Sequence, residues 1–221
     1  AEYHALTDLT YNLKKQKLPV KRGVIKCLFI IGEYKLFVFA AHLPGRVKDD
    51  AFSPTDKRRL EARVLRQQVN AEFKRNIDAN ILVLGNMNDT CGKSPIKAIY
   101  NRRFKFNKRL YDIRPLDELS TSWTHWWRIK DEYERVDYAL CSFRTLPEII
   151  REGTYILDWE KLDGLFSHRP IVVNVKPVDA PPIDMKELAR YYPNCIYSCR
   201  AASINLLRKI GDVPKRGRKK K

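Results

Sequence analysis

The chain has 221 residues, of which 43 are Lys or Arg and 26 are Asp or Glu, so its formal net charge is +17 at pH 7. Hydrophobic residues make up 44% of it, which excludes a disordered polypeptide and predicts one packed domain. No apolar run reaches the roughly 18 residues that a membrane-spanning helix needs. The strong positive charge indicates a nucleic-acid partner, and the simpler alternative is a merely basic protein.

The first predicted elements are a basic arm and a hairpin. Residues 1–22 are polar and basic and include Pro19, which predicts an N-terminal arm outside the core. From Gly23 onward, two runs rich in β-forming residues, GVIKCLFII and KLFVFAAHL, are separated by the short segment GEY. This spacing predicts a β-hairpin.

A helix and a series of strands follow the hairpin. Pro54 suits the first turn of a helix that Ser53 or Thr55 caps, and apolar residues recur at helical spacing to about residue 75. Short apolar runs predict strands at 81–85, 135–142, about 150–157 and 169–176. The predicted domain therefore spans residues 23–177.

Two basic segments are candidates for contact with RNA. In residues 94–111, basic side chains alternate with aromatic ones, which suits contact with phosphates and bases; the alternative is that these aromatic rings face the core. The second segment is the tail PKRGRKKK, which ends a region, residues 178–221, of proline-rich linker and short helices. The candidate nucleic-acid-binding residues are Arg102, Arg103, Lys105, Lys108, Arg109, Lys215, Arg216, Arg218 and Lys219.

The cysteines and the first residue bear on the compartment. Five cysteines, an odd number set mostly in apolar segments, favour reduced thiols in an intracellular, non-secreted protein. The chain starts with Ala1. This predicts either a removed targeting segment, as in a protein of the mitochondrial or another organellar matrix, or numbering that begins inside a longer chain.

Five short motifs follow one another near the predicted strands: AAHL at 40–43, LGNMND at 84–89, TSWTHWW at 121–127, RVDYALCS at 135–142 and FSHRPIVV at 166–173. In order and spacing they resemble the endonuclease/exonuclease/phosphatase superfamily, the metal-dependent phosphodiesterases related to DNase I. The resemblance implies an α/β fold, a four-layered α/β sandwich of two mixed sheets with helices outside. The superfamily opens with strands about a hundred residues before its His-Leu motif, whereas only 41 residues precede His42. The sandwich is therefore expected to be incomplete at the N-terminus and to have a C-terminal helical basic extension.

The resemblance also implies roles for four residues. His42 corresponds to a phosphate-contacting His, and Asn88 to an Asn that orients the substrate. Asp137 corresponds to the strand carboxylate, and His168 to the terminal catalytic His. By contrast, the many Trp residues of TSWTHWW predict a packed loop, so His125 receives no catalytic role.

Two positions depart from the pattern of the superfamily. Asn86 and Ser167 stand where the resemblance implies Asp. An amide cannot accept a proton near neutral pH, and a hydroxyl is a poorer ligand for a hard cation than a carboxylate. The metal-binding Glu of the superfamily has no convincing counterpart either. A vestigial catalytic site without a metal is therefore expected.

These features support three hypotheses. The first is an inactive nuclease-like domain, a pseudoenzyme without a cofactor. In this hypothesis the domain binds RNA, such as ribosomal RNA, and neighbouring proteins. The setting is a ribonucleoprotein such as an organellar ribosome. The second is a Mg²⁺-dependent phosphodiesterase or endonuclease whose N-terminal half lies upstream or on another chain. The third is a protein–protein adaptor that docks through the helices predicted within roughly residues 184–210.

Overall fold

The computed structural model describes residues 1–47, 52–100, 106–157 and 167–181. The strands in these stretches are β1 (Glu2–Leu6), β2 (Thr10–Leu13), β3 (Gln16–Pro19), β4 (Val24–Ile31), β5 (Tyr34–Ala41), β6 (Asn80–Asn86), β7 (Leu110–Asp112), β8 (His125–Trp127), β9 (Glu132–Glu134), β10 (Asp137–Ser142), β11 (Ile149–Ile156) and β12 (Ile171–Val175). The helices are α1 (Pro54–Arg75) and α2 (Ser94–Tyr100), and short 3-10 turns cover Phe106–Lys108 and Leu146–Glu148.

A six-stranded mixed sheet organises the described residues. Its strand order is β1-β4-β5-β6-β10-β7, with β5 and β6 parallel and the other neighbouring pairs antiparallel. β4 and β5 form the predicted hairpin, in which Ile31 pairs with Tyr34. Because a parallel pair needs a crossover connection, α1 returns the chain from the end of β5 to the start of β6. The predicted α/β class is confirmed.

α1 covers one face of this sheet. Its buried Leu65 and Val69 belong to one cluster with Phe39 of β5 and with Ile81 and Val83 of β6. Burial of each side chain of this size contributes about 1.5–3 kcal/mol, so the cluster holds β5 and β6 firmly together. Among the described residues, no helix is long and apolar enough to cross a membrane.

A second, two-stranded sheet packs on the opposite face. β11 and β12 are antiparallel, and Ile149 and Ile171 on them cluster with Leu82 of β6. The hydroxyl of Tyr34 donates a 2.5 Å hydrogen bond to the buried carboxylate of Glu148, which lies just before β11. Two sheets therefore pack face to face, as the resemblance implied, and the smaller one has two strands among the described residues.

The prediction of an N-terminal arm for residues 1–22 is wrong. β1 pairs with β4 along its whole length and forms one edge of the large sheet. β2 and β3 form a hairpin, in which Tyr11 clusters with Val64 of α1. The lysines that suggested an arm mark the hairpin turn, where Lys14 and Lys15 have positive φ angles of 48° and 66°. The basic composition that suggested an arm outside the core therefore comes in part from the lysines of a tight turn.

The prediction of reduced thiols is correct for two cysteines and wrong for a third. Cys27 and Cys141 are not disulfide-bonded, whereas Cys91 is disulfide-bonded. The spacing of cysteines along a chain does not show which thiols meet in the fold, so this bond could not be predicted from the sequence.

A buried ion pair holds the start of β10. Arg135 donates hydrogen bonds of 2.7 and 2.5 Å to the two carboxylate oxygens of Asp112, at the end of β7. The hydroxyl of Tyr100, from α2, donates to the same carboxylate at 3.0 Å. The guanidinium lies 4.4 Å from the centroid of the Tyr138 ring. These contacts connect α2, β7 and β10 next to the position of Asp137.

Substitution of Arg135 tests the importance of this pair. We expect Arg135→Met to lower the free energy of unfolding by about 3–5 kcal/mol, because Asp112 is left as an uncompensated buried charge. Urea denaturation of the purified chain measures the loss. The control is Arg59→Met: Arg59 and Asp56 form a more exposed pair on α1, for which a loss within about 1 kcal/mol is expected. Equal losses in the two variants would contradict this account.

Candidate functional site

The motifs at the strand ends meet at one edge of the large sheet. His42 directly follows β5, Asn86 ends β6, and Asp137 begins β10. In the antiparallel register of β6 and β10, Asp137 is the direct partner of Asn86. His168 reaches the same place from the segment before β12. The structure therefore brings these four residues together.

A glycine allows β5 and β6 to approach closely at this edge. Gly85 has a φ of +135°, and a Cβ on it would lie 2.0 Å from the main-chain oxygen of Ala41. Main-chain atoms of a strand cannot move aside as a flexible side chain does, so a larger residue would separate the strand ends. The main-chain N–H of Leu43 donates to the carbonyl oxygen of Asn86 at 2.9 Å. This bond sets His42 beside Asn86.

His168 and Asp137 form a hydrogen-bonded pair in the site. Nδ1 of His168 lies 2.7 Å from Oδ2 of Asp137. Because an ionised carboxylate only accepts hydrogen bonds, Nδ1 holds the proton and donates it. Nε2 is then the ring nitrogen that Asp137 does not engage. A carboxylate that fixes the tautomer of a histidine is a common way to orient a general acid or base.

Two neighbours that the sequence did not single out hold this pair in place. The ring of His125 stacks on that of His168, with centroids 4.4 Å apart. Nδ1 of His125 donates to the carbonyl oxygen of Ser167 at 2.8 Å. Thr124 is fully buried, and its hydroxyl oxygen accepts the main-chain N–H of Asp137 at 3.0 Å. Both residues belong to TSWTHWW, whose Trp content had favoured a packed loop.

Asn86 makes two internal contacts that use both ends of its amide. Its Oδ1 accepts the main-chain N–H of Asn88 at 2.8 Å, and its Nδ2 lies 3.4 Å from Nε2 of His42. An amide nitrogen only donates, so Nε2 of His42 is the acceptor and the imidazole is neutral. A carboxylate at position 86 would instead place an oxygen opposite Nε2 and favour the imidazolium.

The electrostatic surroundings of His42 favour the same neutral form. Partial burial lowers the pKa of His42 below its ordinary value, and the charges of Arg22 and His168 lower it further. The carboxylate of Asp137 opposes these effects but is the smallest influence. Arg22 is held near the site by a 3.4 Å hydrogen bond to the carbonyl oxygen of Leu43. His42 is therefore uncharged near neutral pH.

The other polar side chains of the GNMND segment are engaged inside the protein. Asn88 has a φ of 50°, and its Nδ2 donates to the carbonyl oxygen of Leu43 at 2.7 Å. Asp89 is buried and pairs with Arg58 of α1 at 3.2 Å. Asn88 therefore ties the loop after β5 to the loop after β6, and its substrate-orienting role stays a prediction.

The donor set at this edge does not fit a divalent metal ion. Hard cations select several anionic oxygen ligands, whereas Asn86 and Ser167 offer neutral oxygens, and Asp137 already accepts from His168. Within residues 1–47, 52–100, 106–157 and 167–181, no group of three or more His, Cys, Asp and Glu side chains could hold a metal.

The basic residues predicted to bind nucleic acid are described only in part. Lys108 is exposed and Arg109 is half-buried next to β7. Tyr100 and Tyr111 of the same segment pack against the core clusters, as the alternative interpretation predicted. The remaining candidates lie outside the described residues, and their role stays a prediction: Arg102, Arg103, Lys105, Lys215, Arg216, Arg218 and Lys219.

Solved structures share this architecture. The catalytic domain of human Nocturnin matches with a TM-score of 0.55 at 12% identity, over 79% of this chain and 58% of that one. An endonuclease/exonuclease/phosphatase family protein from Leptotrichia buccalis matches with a TM-score of 0.52 at 10% identity, over 79% and 60%. The chain has the endonuclease/exonuclease/phosphatase fold. A humanized D. rerio TDP2 agrees, with a TM-score of 0.51 at 14% identity, over 78% and 65%.

The comparison establishes the fold alone. No family model matches the chain, and no curated protein is similar to it in sequence. The chain spans about three fifths of the length of the first two solved structures with this fold. The resemblance seen in the five motifs is therefore confirmed at the level of the endonuclease/exonuclease/phosphatase fold, with no activity transferred from those proteins.

Substitution of Asn86 tests the electrostatic account of His42. We expect Asn86→Asp to raise the pKa of His42, because a carboxylate beside Nε2 stabilises the imidazolium. An NMR titration of the histidine ring signals measures the change. Asn12→Asp adds the same charge on the exposed β2–β3 hairpin and should leave this pKa unaltered. If Asn86→Asp also leaves it unaltered, the contact between residues 42 and 86 is not formed in solution.

Proposed function

We propose that this chain is a catalytically inactive protein of nuclease-like fold that binds structured RNA. The main observation is that the amide of Asn86 makes two internal contacts and lies beside a neutral His42. The resemblance implies a carboxylate at position 86. An amide cannot take a proton from water near neutral pH. Because the members of a catalytic unit act together, the loss of one removes most of the rate.

The net charge and an aromatic hairpin support the RNA-binding part of the proposal. In the β8–β9 hairpin, the rings of Trp126 and Tyr133 are nearly parallel, with centroids 5.7 Å apart. Arg128 lies 5.2 Å from the ring centroid of Trp126, and Lys130 lies 4.9 Å from that of Trp127. Aromatic rings beside cations suit the stacking of unpaired bases and contact with phosphates. The hairpin adjoins the candidate site, since its first residue stacks on His168.

The proposed setting is a ribonucleoprotein particle. A chain with a formal charge of +17 gains affinity for RNA mainly from phosphate contacts and the release of counterions. Such affinity has little sequence preference, which suits a structural component that binds a folded RNA. Within this proposal the RNA is ribosomal, the particle is an organellar ribosome such as the mitochondrial one, and neighbouring proteins are further partners.

Charge reversal in the basic tail tests RNA binding. We expect the purified chain to bind a folded ribosomal RNA fragment with an affinity that falls as salt rises. Combined Lys215→Glu, Arg216→Glu and Arg218→Glu substitutions should weaken binding. They should also flatten the plot of log affinity against log salt by roughly 0.7–0.9 per lost phosphate contact. Fluorescence anisotropy at several salt concentrations measures both quantities.

The matched control reverses three exposed lysines in the described part of the chain, Lys17, Lys35 and Lys74. It changes the net charge by the same amount without touching the tail. Equal weakening in both variants would show that overall charge, and not the tail, determines affinity. Absence of any salt-dependent affinity for RNA would refute the proposed function.

A metal-dependent phosphodiesterase is the second candidate function, and one observation favours it. The His168–Asp137 pair, at 2.7 Å, retains an oriented histidine of the kind that catalysis uses. We expect the chain, with Mg²⁺ or Mn²⁺, to cleave labelled DNA, RNA or phosphate esters no faster than its His168→Ala variant does. Cleavage that His168→Ala abolishes would establish this second function and refute inactivity.

A further inference from the structure

The β2–β3 hairpin and the start of α1 bring several cations together. Lys14 at the hairpin turn and Lys57 in the first turn of α1 lie beside one ring, with their Nζ atoms 5.8 and 5.4 Å from the centroid of Phe52. Lys14 is exposed and Lys57 is half-buried. Two ammonium groups beside one ring repel each other, so an anion that contacts both stabilises this arrangement.

Two further cations extend this group toward the candidate site. The main-chain N–H of Lys21 donates to Oε1 of Glu61 at 3.2 Å, which ties the segment after β3 to α1. The guanidinium of Arg22 donates to the carbonyl oxygen of Leu43 at 3.4 Å, next to His42. The side chains of Lys21 and Arg22 are exposed.

A buried carboxylate lies under these cations. Glu61 is 2% exposed, and its burial raises its pKa. The charges of Arg22, Lys21 and Lys57 lower the same pKa, because all three lie near this carboxylate. The cations therefore form one surface, here called the basic ridge, which ends at the candidate site: Lys14, Lys57, Lys21 and Arg22.

The positive charges of the basic ridge exceed the negative charges around it. Glu61 is buried, and Asp56 in the first turn of α1 pairs with Arg59. Asp8, just before β2, adds one exposed negative charge against four cations. The sequence outside the described residues holds 16 Lys and Arg against 8 Asp and Glu, so it adds positive charge. A partner with many negative charges therefore fits the ridge.

The backbone of paired RNA fits the basic ridge better than unpaired bases do. Phosphates contact Lys and Arg side chains without regard to sequence. Phe52 is half-buried and already contacts Lys14 and Lys57, so its ring is not a platform for a base. Paired RNA presents its phosphates and 2′-hydroxyls outward and keeps its bases stacked inside.

The β8–β9 hairpin, at the other side of the candidate site, suits unpaired bases. Trp127 and His125 are two residues apart on β8 and point to the same face, and His125 stacks on His168. The Nζ of Lys130 lies 4.9 Å from the ring centroid of Trp127. An aromatic ring beside a cation is a platform for a base and its phosphate.

The basic ridge and the β8–β9 hairpin meet at the candidate site. Besides burial, the charges of Arg22 and His168 lower the pKa of His42, because both groups lie near its ring. Arg22 belongs to the ridge, and His168 stacks on the first residue of the hairpin. An RNA that contacts the ridge therefore reaches the hairpin without leaving the surface.

We propose that the basic ridge binds the phosphate backbone of a paired RNA segment whose unpaired continuation lies on the β8–β9 hairpin. The ligand is then an RNA with a junction between a helix and a single strand. This inference rests on the proposed function, because it specifies which RNA the chain binds and which surface it uses.

Removal of three charges tests the basic ridge. We expect the combined Lys14→Gln, Lys21→Gln and Lys57→Gln substitutions to weaken binding of a labelled RNA helix with a single-stranded extension at least about tenfold. The plot of log affinity against log salt should flatten by roughly 0.7–0.9 per lost phosphate contact. Fluorescence anisotropy measures both, and circular dichroism checks the fold. Lys14→Gln alone, at the exposed turn, should show the loss of one contact even if the triple variant unfolds.

The matched control removes the charges of three exposed lysines outside the ridge, Lys17, Lys35 and Lys74. Lys17 is next in register to the pair of Tyr11, which packs against α1, so its side chain points to the opposite face of the β2–β3 hairpin. Equal weakening in the two triple variants would overturn the ridge. If the unaltered chain has no salt-dependent affinity for any RNA, the proposed function itself fails.

A comparison of RNA forms tests the junction. We expect the helix with its extension to bind about tenfold more tightly than the same helix without it, because a stacked base adds affinity. Trp127→Ala should remove this difference, whereas the ridge variant should weaken binding of both helical forms and keep the difference. Equal affinity for the two helical forms, or tightest binding of the single strand alone, would overturn the junction.

Discussion

The close approach of β5 and β6 is the constraint on which the candidate site depends. Only a glycine fits at position 85, where the main-chain oxygen of Ala41 occupies the space of a Cβ. The strands are parallel, so their carboxyl ends lie side by side, and the loop after each one emerges at the same edge. His42 and Asn86 meet for that reason. β10 then aligns Asp137 with Asn86 through its own register, and the buried Arg135–Asp112 pair fixes where β10 begins.

The amide of Asn86 is satisfied internally, and this bears on the chemistry of the site. Asn86 has one acceptor and one donor group in use, with Asn88 and His42 as partners. A catalytic site commonly keeps unpaired groups or strain that only substrate or metal relieves. Here both ends of the Asn86 amide contact neighbouring groups of the protein, so this amide needs no added charge. The same contacts show why an amide is compatible with this position: it fits a histidine whose pKa is lowered by burial and by Arg22.

The local parts of this structure could be predicted from the sequence, whereas the pairings between distant segments could not. The β4–β5 hairpin, α1 and β6 have strong periodicity and clear turn or capping residues, and they lie close to their predicted bounds. The β2–β3 hairpin was missed because its lysines outweighed its few apolar residues. Arg135 was next to Asp137 in sequence, yet its partner is Asp112, which only the β7–β10 register brings within reach. Thr124 was missed for a similar reason, since its role depends on the main-chain N–H of Asp137.

The described part of the chain has two surfaces that differ in the physics of their interactions. Near His168, aromatic rings and cations lie side by side, and any contact with phosphates there weakens as salt rises. Toward the β1 edge, the sheet exposes apolar side chains without a charge, and burial of apolar area is much less sensitive to salt. The two surfaces lie on different parts of the sheet. The buried clusters on both faces of the large sheet hold the two surfaces on one rigid body.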